Sequence, residues 1–402
     1  MATSFAEVSG PRSTTEQDRL AWLALALTPG MGPTRTLRAM SRTQTPADLL
    51  RMPLTELESL GLPATAAQFV HDGKALLAAE AEMQRVVEQG AGILTHDCED
   101  YPQRLREIYD PPPVLWFRGE TALLGLAGIA VVGTRHPSPY GAGMAQMLSR
   151  DLASRGVVIL SGMARGVDTE AHKGALETKG KTVAVWGTGI DVIYPKENKR
   201  LAEQILAGGG CLLSEFPTGT FPAPQNFPLR NRVLSGMSVG VLVIEAAEHS
   251  GTRITARCAM EQNRDVYAVP GNVTNKNAWG PNTLIKQGAK LTATWEDVWE
   301  DLPSQARIEL EDRLAMLAGG SGAGGAASLG GGAASLFAEQ EMPPTERLVY
   351  SHLRADEATQ LDGLIERLEG ELPSAEIFTA LFELELAGRI RQMPGKNYVR
   401  TF

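Results

Sequence analysis

The pattern of apolar and polar positions changes once along the first three hundred residues. Between residues 14 and 90, the stretches LAWLALALTPGMGPTRTLRAM and LTELESLGLPATAAQFV carry apolar residues at three- and four-residue spacing, broken by Gly and Pro. That spacing predicts helices, and no strand is evident there. From about residue 114 the pattern becomes short, β-branched and apolar throughout: GIAVVG (128–133), VVILSG (157–162), TVAVWG (182–187), CLLSEF (211–216), VGVLVIEA (239–246) and VYAVPG (266–271). Each run precedes a helix-like stretch. Strands without a polar face, alternating with helices, predict a parallel sheet covered on both sides, a doubly wound α/β domain with ligands at the carboxyl ends of its strands.

Residues 318–335, AGGSGAGGAASLGGGAAS, are Gly, Ala or Ser except for Leu329. Such a segment cannot bury enough apolar surface to offset its conformational entropy, so it predicts a flexible linker. The expected division is a helical domain over 1–95, the α/β domain over 96–305, a linker over 306–342 and a small module over 343–402. A length of 402 residues leaves room for two to three domains of about 150 residues.

With 43% hydrophobic and 21% charged residues the chain has a globular composition, not a disordered one. Lys and Arg number 38 against 47 Asp and Glu, a net charge of −9, which excludes a uniformly basic coat. Residues 130–233 depart from this balance, with 12 Lys and Arg against 8 Asp and Glu. That local excess is the electrostatic footprint of an anionic partner. Cys98, Cys211 and Cys258 form no CxxC pair, so neither a disulfide framework nor a zinc knuckle is expected, and a reducing cytoplasm fits. No signal-peptide pattern and no apolar run of membrane-spanning length occurs.

The loops after the strands carry the candidate chemistry. Gly133 permits a close exit from its strand, and Arg135 and Ser138 lie where the next helix opens, a seat for a phosphate. The loop lacks GxGxxG, so no dinucleotide cofactor is expected. Gly162 and Arg165 repeat the construction, with Asp168 placed to cap the following helix and Lys173 to join the site or remain solvated. Lys196 and Lys199 follow the third loop. The fourth combines Phe216, Phe221 and Phe227 with Arg230, Asn231 and Arg232. Rings among guanidinium groups suit stacked bases and paired phosphates, although the same rings can simply pack the loop. Ser250, Gly251 and Thr252 offer hydroxyls and amides at a further helix start.

Gly30-Met31-Gly32 between two helical runs is compatible with a DNA-contacting hairpin or with plain helix packing. No Ser-His-Asp set, HExxH or Walker A lysine is readable, and His172 and His249 stand isolated. Glu245 at a strand end admits two roles: a general base, as in nucleotide-hydrolysing Rossmann-like enzymes, or a carboxylate orienting an arginine such as Arg232. The enzyme alternative predicts nucleobase release from a nucleoside monophosphate, but the PGGxGT loop expected for that group is absent.

Taken together, GTRHPSPYG, SGMARGVDTEAH, GTGIDVIYPKENKRL, SEFPTGTFPAPQNFPLRNRVLSG, IEAAEHSGTRITARCAME and AVPGN with GPNTLIKQGAKL resemble the DNA-processing protein A family (DprA, also called Smf) over about residues 95–300. The resemblance implies an extended Rossmann-like domain that binds single-stranded DNA without sequence preference and is not an enzyme. It implies a cytoplasmic homodimer that recruits the RecA recombinase in natural transformation, with a single-strand-binding protein as a further partner. Arg135, Arg165, Lys196 and Arg230 to Arg232 match the family's basic pocket, and Gly133 and Ser250 to Thr252 its loop frame. Residues before 95 are similar to the sterile-alpha-motif-like extension of many members, and 343–402 to their winged-helix-like module. That module has 10 Asp and Glu against 7 Lys and Arg, which favours protein contact over duplex reading.

Overall fold

The computed structural model describes residues 15–248, 250–319, 343–355, 358–368, 370–393 and 395–400. Six helices come first: α1 (Glu16–Leu27), α2 (Pro33–Met40), α3 (Pro46–Leu50), α4 (Leu54–Ser59), α5 (Ala64–His71) and α6 (Lys74–Glu88). They enclose a core that includes Leu23, Leu25, Leu49 and Leu57, all fully buried. Thr15 caps α1, and the Thr45–Asp48 capping box opens α3, so the short polar residues before each apolar run set these starts.

The central part then alternates strand and helix: β1 (Gly92–Thr95), α7 (Gln103–Arg106), β2 (Val114–Gly119), β3 (Gly128–Val132), α8 (Pro139–Ser154), β4 (Val158–Ser161), α9 (Val167–Glu177), β5 (Thr182–Trp186), α10 (Lys199–Ala207), β6 (Cys211–Ser214), α11 (Asn226–Met237), β7 (Gly240–Val243), α12 (Thr252–Glu261), β8 (Asp265–Ala268), α13 (Trp279–Lys286), β9 (Lys290–Leu291), α14 (Trp295–Trp299) and α15 (Ser304–Gly319). The sheet order is β1-β2-β6-β5-β4-β3-β7-β8-β9. All six strands expected from the apolar runs form, and they pair in parallel. Apolar side chains cover both faces, one cluster with Leu160, Val183 and Val241, the other with Ile129, Leu148 and Leu242.

The sheet differs from a purely parallel one at its edge. β1 pairs antiparallel with β2 (Gly92↔Phe117), and β2 antiparallel with β6 (Trp116↔Ser214). β1 therefore belongs to the large sheet although it lies within residues 1–95. Glu82 ties the helical part to that edge: its buried carboxylate accepts from Trp116 Nε1 (2.9 Å), Thr218 N (2.7 Å) and Thr218 Oγ1 (2.8 Å). The assigned linker also differs in its first part, since residues 306–319 continue α15, with Ala306 and Leu310 packed into the core. Residues 320–342 lie outside the described residues.

The C-terminal module comprises α16 (Pro344–His352), β10 (Thr359–Gln360), α17 (Leu361–Leu368), α18 (Ser374–Leu386), β11 (Ile390–Met393) and β12 (Asn397–Arg400), with strand order β10-β12-β11. Val349, Leu364, Ile377 and Leu384 form its own core.

His172 on α9 is fully buried within the central part. The Thr182 hydroxyl donates to Ile159 O, so it accepts from His172 Nδ1–H at 2.7 Å. Burial, reinforced by the Arg230 charge, pushes the imidazole pKa down to about 3. The unfolded ring takes up a proton below pH 6.5 while the folded one does not until about pH 3. Stability from this group is thus complete above pH 6.5 and falls as pH drops, by about 1.4 kcal/mol per unit. Denaturation midpoints at pH 7 and pH 5 are expected to show this slope, flattened in His172→Gln. An unchanged slope in that variant would assign the acid sensitivity elsewhere.

Candidate nucleic-acid interface

The strand order reverses at β3: the chain runs outward through β4, β5 and β6, then returns to β3's other side with β7. A doubly wound sheet opens a crevice at such a point, beyond the carboxyl ends of its strands. A cavity of about 830 Å³ lies there, lined by Gly133, Arg135, Ala164, Phe227, Asn231, Ser250, Gly251, Thr252, Lys276 and Trp279 among others. A smaller one adjoins it, sharing Arg135, Ala164, Phe227 and Arg230 and adding Gly162, Arg165, Gly187 and Tyr194.

The loops are tied to one another before any ligand arrives. Thr134 N donates to Glu245 O (2.7 Å) and Val167 N to Thr134 O (3.2 Å). A Cβ on Gly133 would lie 2.5 Å from Val167 Cγ2, so only glycine lets the first two loops meet. Asp168 is not the cap of α9; Gly166 holds that position. The Asp168 carboxylate instead accepts from Gly162 N (3.1 Å) and Ala164 N (3.2 Å), closing the preceding loop.

Arg230 serves the same frame. It is only 6% exposed, and its Nη1 donates to Gly162 O at 2.7 Å and also to Val185 O. A Cβ on Gly162 would fall 2.3 Å from this guanidinium. Burial raises the Asp168 carboxyl pKa and lowers that of Arg230, each opposed by the other's charge. Arg232 points away from the cavity, buried between Glu215 and Asp110, whose Oδ2 is 3.2 Å from Nε. The partner foreseen for it, Glu245, lies elsewhere. Glu245 accepts from Ser138 N (2.8 Å) and Ser138 Oγ (2.5 Å), with Asn277 Nδ2 at 3.4 Å. The first phosphate seat expected from sequence is therefore filled by the protein's own carboxylate, and Ser138 caps α8 through Gly141 N (3.1 Å).

The exposed cations divide into paired and unpaired. Arg165 forms an ion pair with Glu197, Nη2 to Oε2 2.8 Å, and Lys173 pairs with Glu170 at 2.9 Å on the outer side of α9. Among the described residues Arg135, Lys196 and Lys199 are exposed and have no carboxylate partner. Arg135 lies over the Phe227 ring, 5.7 Å from its centroid, and Phe227 in turn meets Tyr194 at 5.7 Å with a 38° tilt. Ser250 Oγ accepts from Thr252 N (3.2 Å) and holds the start of α12 against the cavity. His249 lies outside the described residues. Sequence reasoning passed over Tyr194, Lys276 and Trp279; the signal available for them was an aromatic or cation in a loop after a strand, the rule that selected Phe227.

Residues 92–303 match the family described as DNA recombination-mediator protein A, and 334–396 match the DprA winged helix domain. The chain belongs to the DNA recombination-mediator protein A family. It is 40% identical over 311 residues to Protein Smf of Escherichia coli, covering 77% of each chain. To DNA processing protein DprA of Bacillus subtilis it is 43% identical over 219 residues, 54% of this chain and 73% of that one. The X-ray structure of DNA processing protein A from Streptococcus pneumoniae superposes with a TM-score of 0.60 at 32% identity, over 72% of this chain and 99% of its own. The recombination-mediator match thus spans the sheet, its antiparallel edge and every loop of the cavity.

Proposed function

We propose that this family member binds single-stranded DNA in the switch-point groove without sequence preference and, as a cytoplasmic homodimer, delivers it to the RecA recombinase. The observation that carries this reading is the Arg135–Phe227–Tyr194 stack in an open groove, with the exposed Lys196 next in sequence to Pro195 of its lining. Ring faces accept any base and cations accept any phosphate, so such a platform reads a strand without reading its sequence. In a duplex the base faces are already stacked, which favours the single strand. Membership of a recombination-mediator family supports the same role.

Glu245 is occupied in accepting from the N–H and hydroxyl of Ser138, the cap of α8, which weighs against its use as a general base and supports a binding role without catalysis. In the C-terminal module α18 follows α17 as the second helix of a helix-turn-helix pair, carries no Lys or Arg, and exposes Phe378 and Phe382. That surface favours a protein contact, with RecA or a single-strand-binding protein, over a duplex groove.

Fluorescence anisotropy of a labelled oligo-dT across a salt series, with matched duplex as competitor, tests the reading. A single-strand preference with a steep negative salt slope is expected. Absence of binding at low salt by the folded protein would overturn it and direct attention to nucleotide hydrolysis.

A further inference from the structure

The groove continues past Arg135 and Phe227 to a second aromatic side chain. The turn between β8 and α13 is pinned from several sides. Asn277 O accepts from Ala246 N (2.7 Å), Asn277 Nδ2 donates to His136 O (3.1 Å), and Gly280 N donates to Ala246 O (2.8 Å). A Cβ on Gly280 would lie 2.5 Å from that Ala246 carbonyl, so only glycine allows α13 to start this close to β7.

Those ties fix the direction of two side chains. Lys276 is exposed and has no carboxylate partner among the described residues, and Trp279 remains 38% exposed; both line the cavity that holds Arg135 and Phe227. Arg253 on α12 lies over the Trp279 ring, 5.1 Å from its centroid. The groove therefore presents the same device twice, a guanidinium over an aromatic face, once on each side of the point where the strand order reverses.

We propose that Trp279 is a second base-stacking station, with Lys276 and Arg253 holding the flanking phosphates, so that a single strand crosses the switch point from Phe227 to α13. A large ring that is rigidly held and left open to solvent forfeits hydrophobic burial in the free protein, and a stacked base would recover it. The proposal rests on the single-strand reading above and lengthens its footprint.

Binding of an oligo-dT ladder, from about 4 to about 16 nucleotides, to wild type, Trp279→Ala, Trp279→Phe and Arg135→Ala tests it. Short oligomers that occupy only the Phe227 station should bind Trp279→Ala as they bind wild type. Longer ones should lose roughly tenfold or more in affinity, as expected for one stacked base. Trp279→Phe should restore most of the loss. The equality at short length shows that Trp279→Ala is folded, and Lys276→Ala supplies a second variant with a weaker, salt-sensitive version of the length dependence. Wild-type affinity of Trp279→Ala at every length, with Arg135→Ala still impaired, would overturn this station alone. Failure of the wild type to bind any length would overturn the single-strand reading and this station with it.

Discussion

Arg135→Ala is expected to weaken oligo-dT binding by roughly ten- to a hundredfold, and to weaken oligo-dA and oligo-dC equally. Two contributions combine at this residue. Its guanidinium lies over Phe227 and presents its donors to the groove without a competing carboxylate among the described residues, so it can both pair a phosphate and hold the ring that stacks a base. Base stacking contributes about 1–3 kcal/mol, and one lost phosphate contact lowers the single-strand salt slope by about 0.7. Lys196→Ala should act in the same direction by a smaller factor, because its ammonium is a point charge on a flexible stem and stacks on nothing. Arg150→Ala, which removes a cation paired with Asp151 at 2.9 Å outside the groove, serves as the control for net charge alone. Anisotropy titrations at several salt concentrations separate the cases. Parental affinity in Arg135→Ala, or a loss confined to one base composition, would show that the strand is held elsewhere.

The sequence made the parallel core legible because its strands are apolar on both faces, a pattern that only a sheet covered twice requires. β1 and β2 were not read, since they take their place by antiparallel pairing, β1 with β2 and β2 with β6 far along the chain, outside the parallel strand–helix alternation. At the site, sequence located the loops and most of the side chains that line them. It could not distinguish a cation that faces solvent from one that the frame consumes. Arg135, Arg230 and Arg232 are alike as letters, yet the first lies over a ring, the second pins two carbonyls and the third is buried between two carboxylates. The difference between Arg230 and Arg232 depends on which face of α11 meets the sheet. The same limit applied to Glu245, whose role is fixed by the approach of Ser138 across 107 positions of sequence. Trp279 escaped because its loop follows a strand on the far side of the switch point, and the identity of that side emerges only from the strand order.

Arg230→Ala provides the counterpart to the Arg135 result, because it is expected to damage the groove through the fold. The buried guanidinium bonds Gly162 O and Val185 O and balances the buried Asp168 carboxylate, which itself closes the Gly162–Ala164 loop. Removing it leaves unpaired carbonyls, a cavity and a buried carboxyl without its countercharge, a combination that costs about 3–5 kcal/mol. Without the Arg230 charge, the largest influence opposing burial at Asp168 is gone, its pKa rises further, and protonation of the carboxylate loosens the loop that presents Arg165. Denaturation midpoints should therefore fall together with oligo-dT affinity. Arg230→Lys, which keeps the charge but cannot reach both carbonyls, should retain part of each. Gly162→Ala should reproduce the effect from the other side, since its methyl group would occupy the guanidinium's place. Full stability in Arg230→Ala with affinity abolished would reverse the assignment and make Arg230 a ligand of the strand instead of the support of the loop.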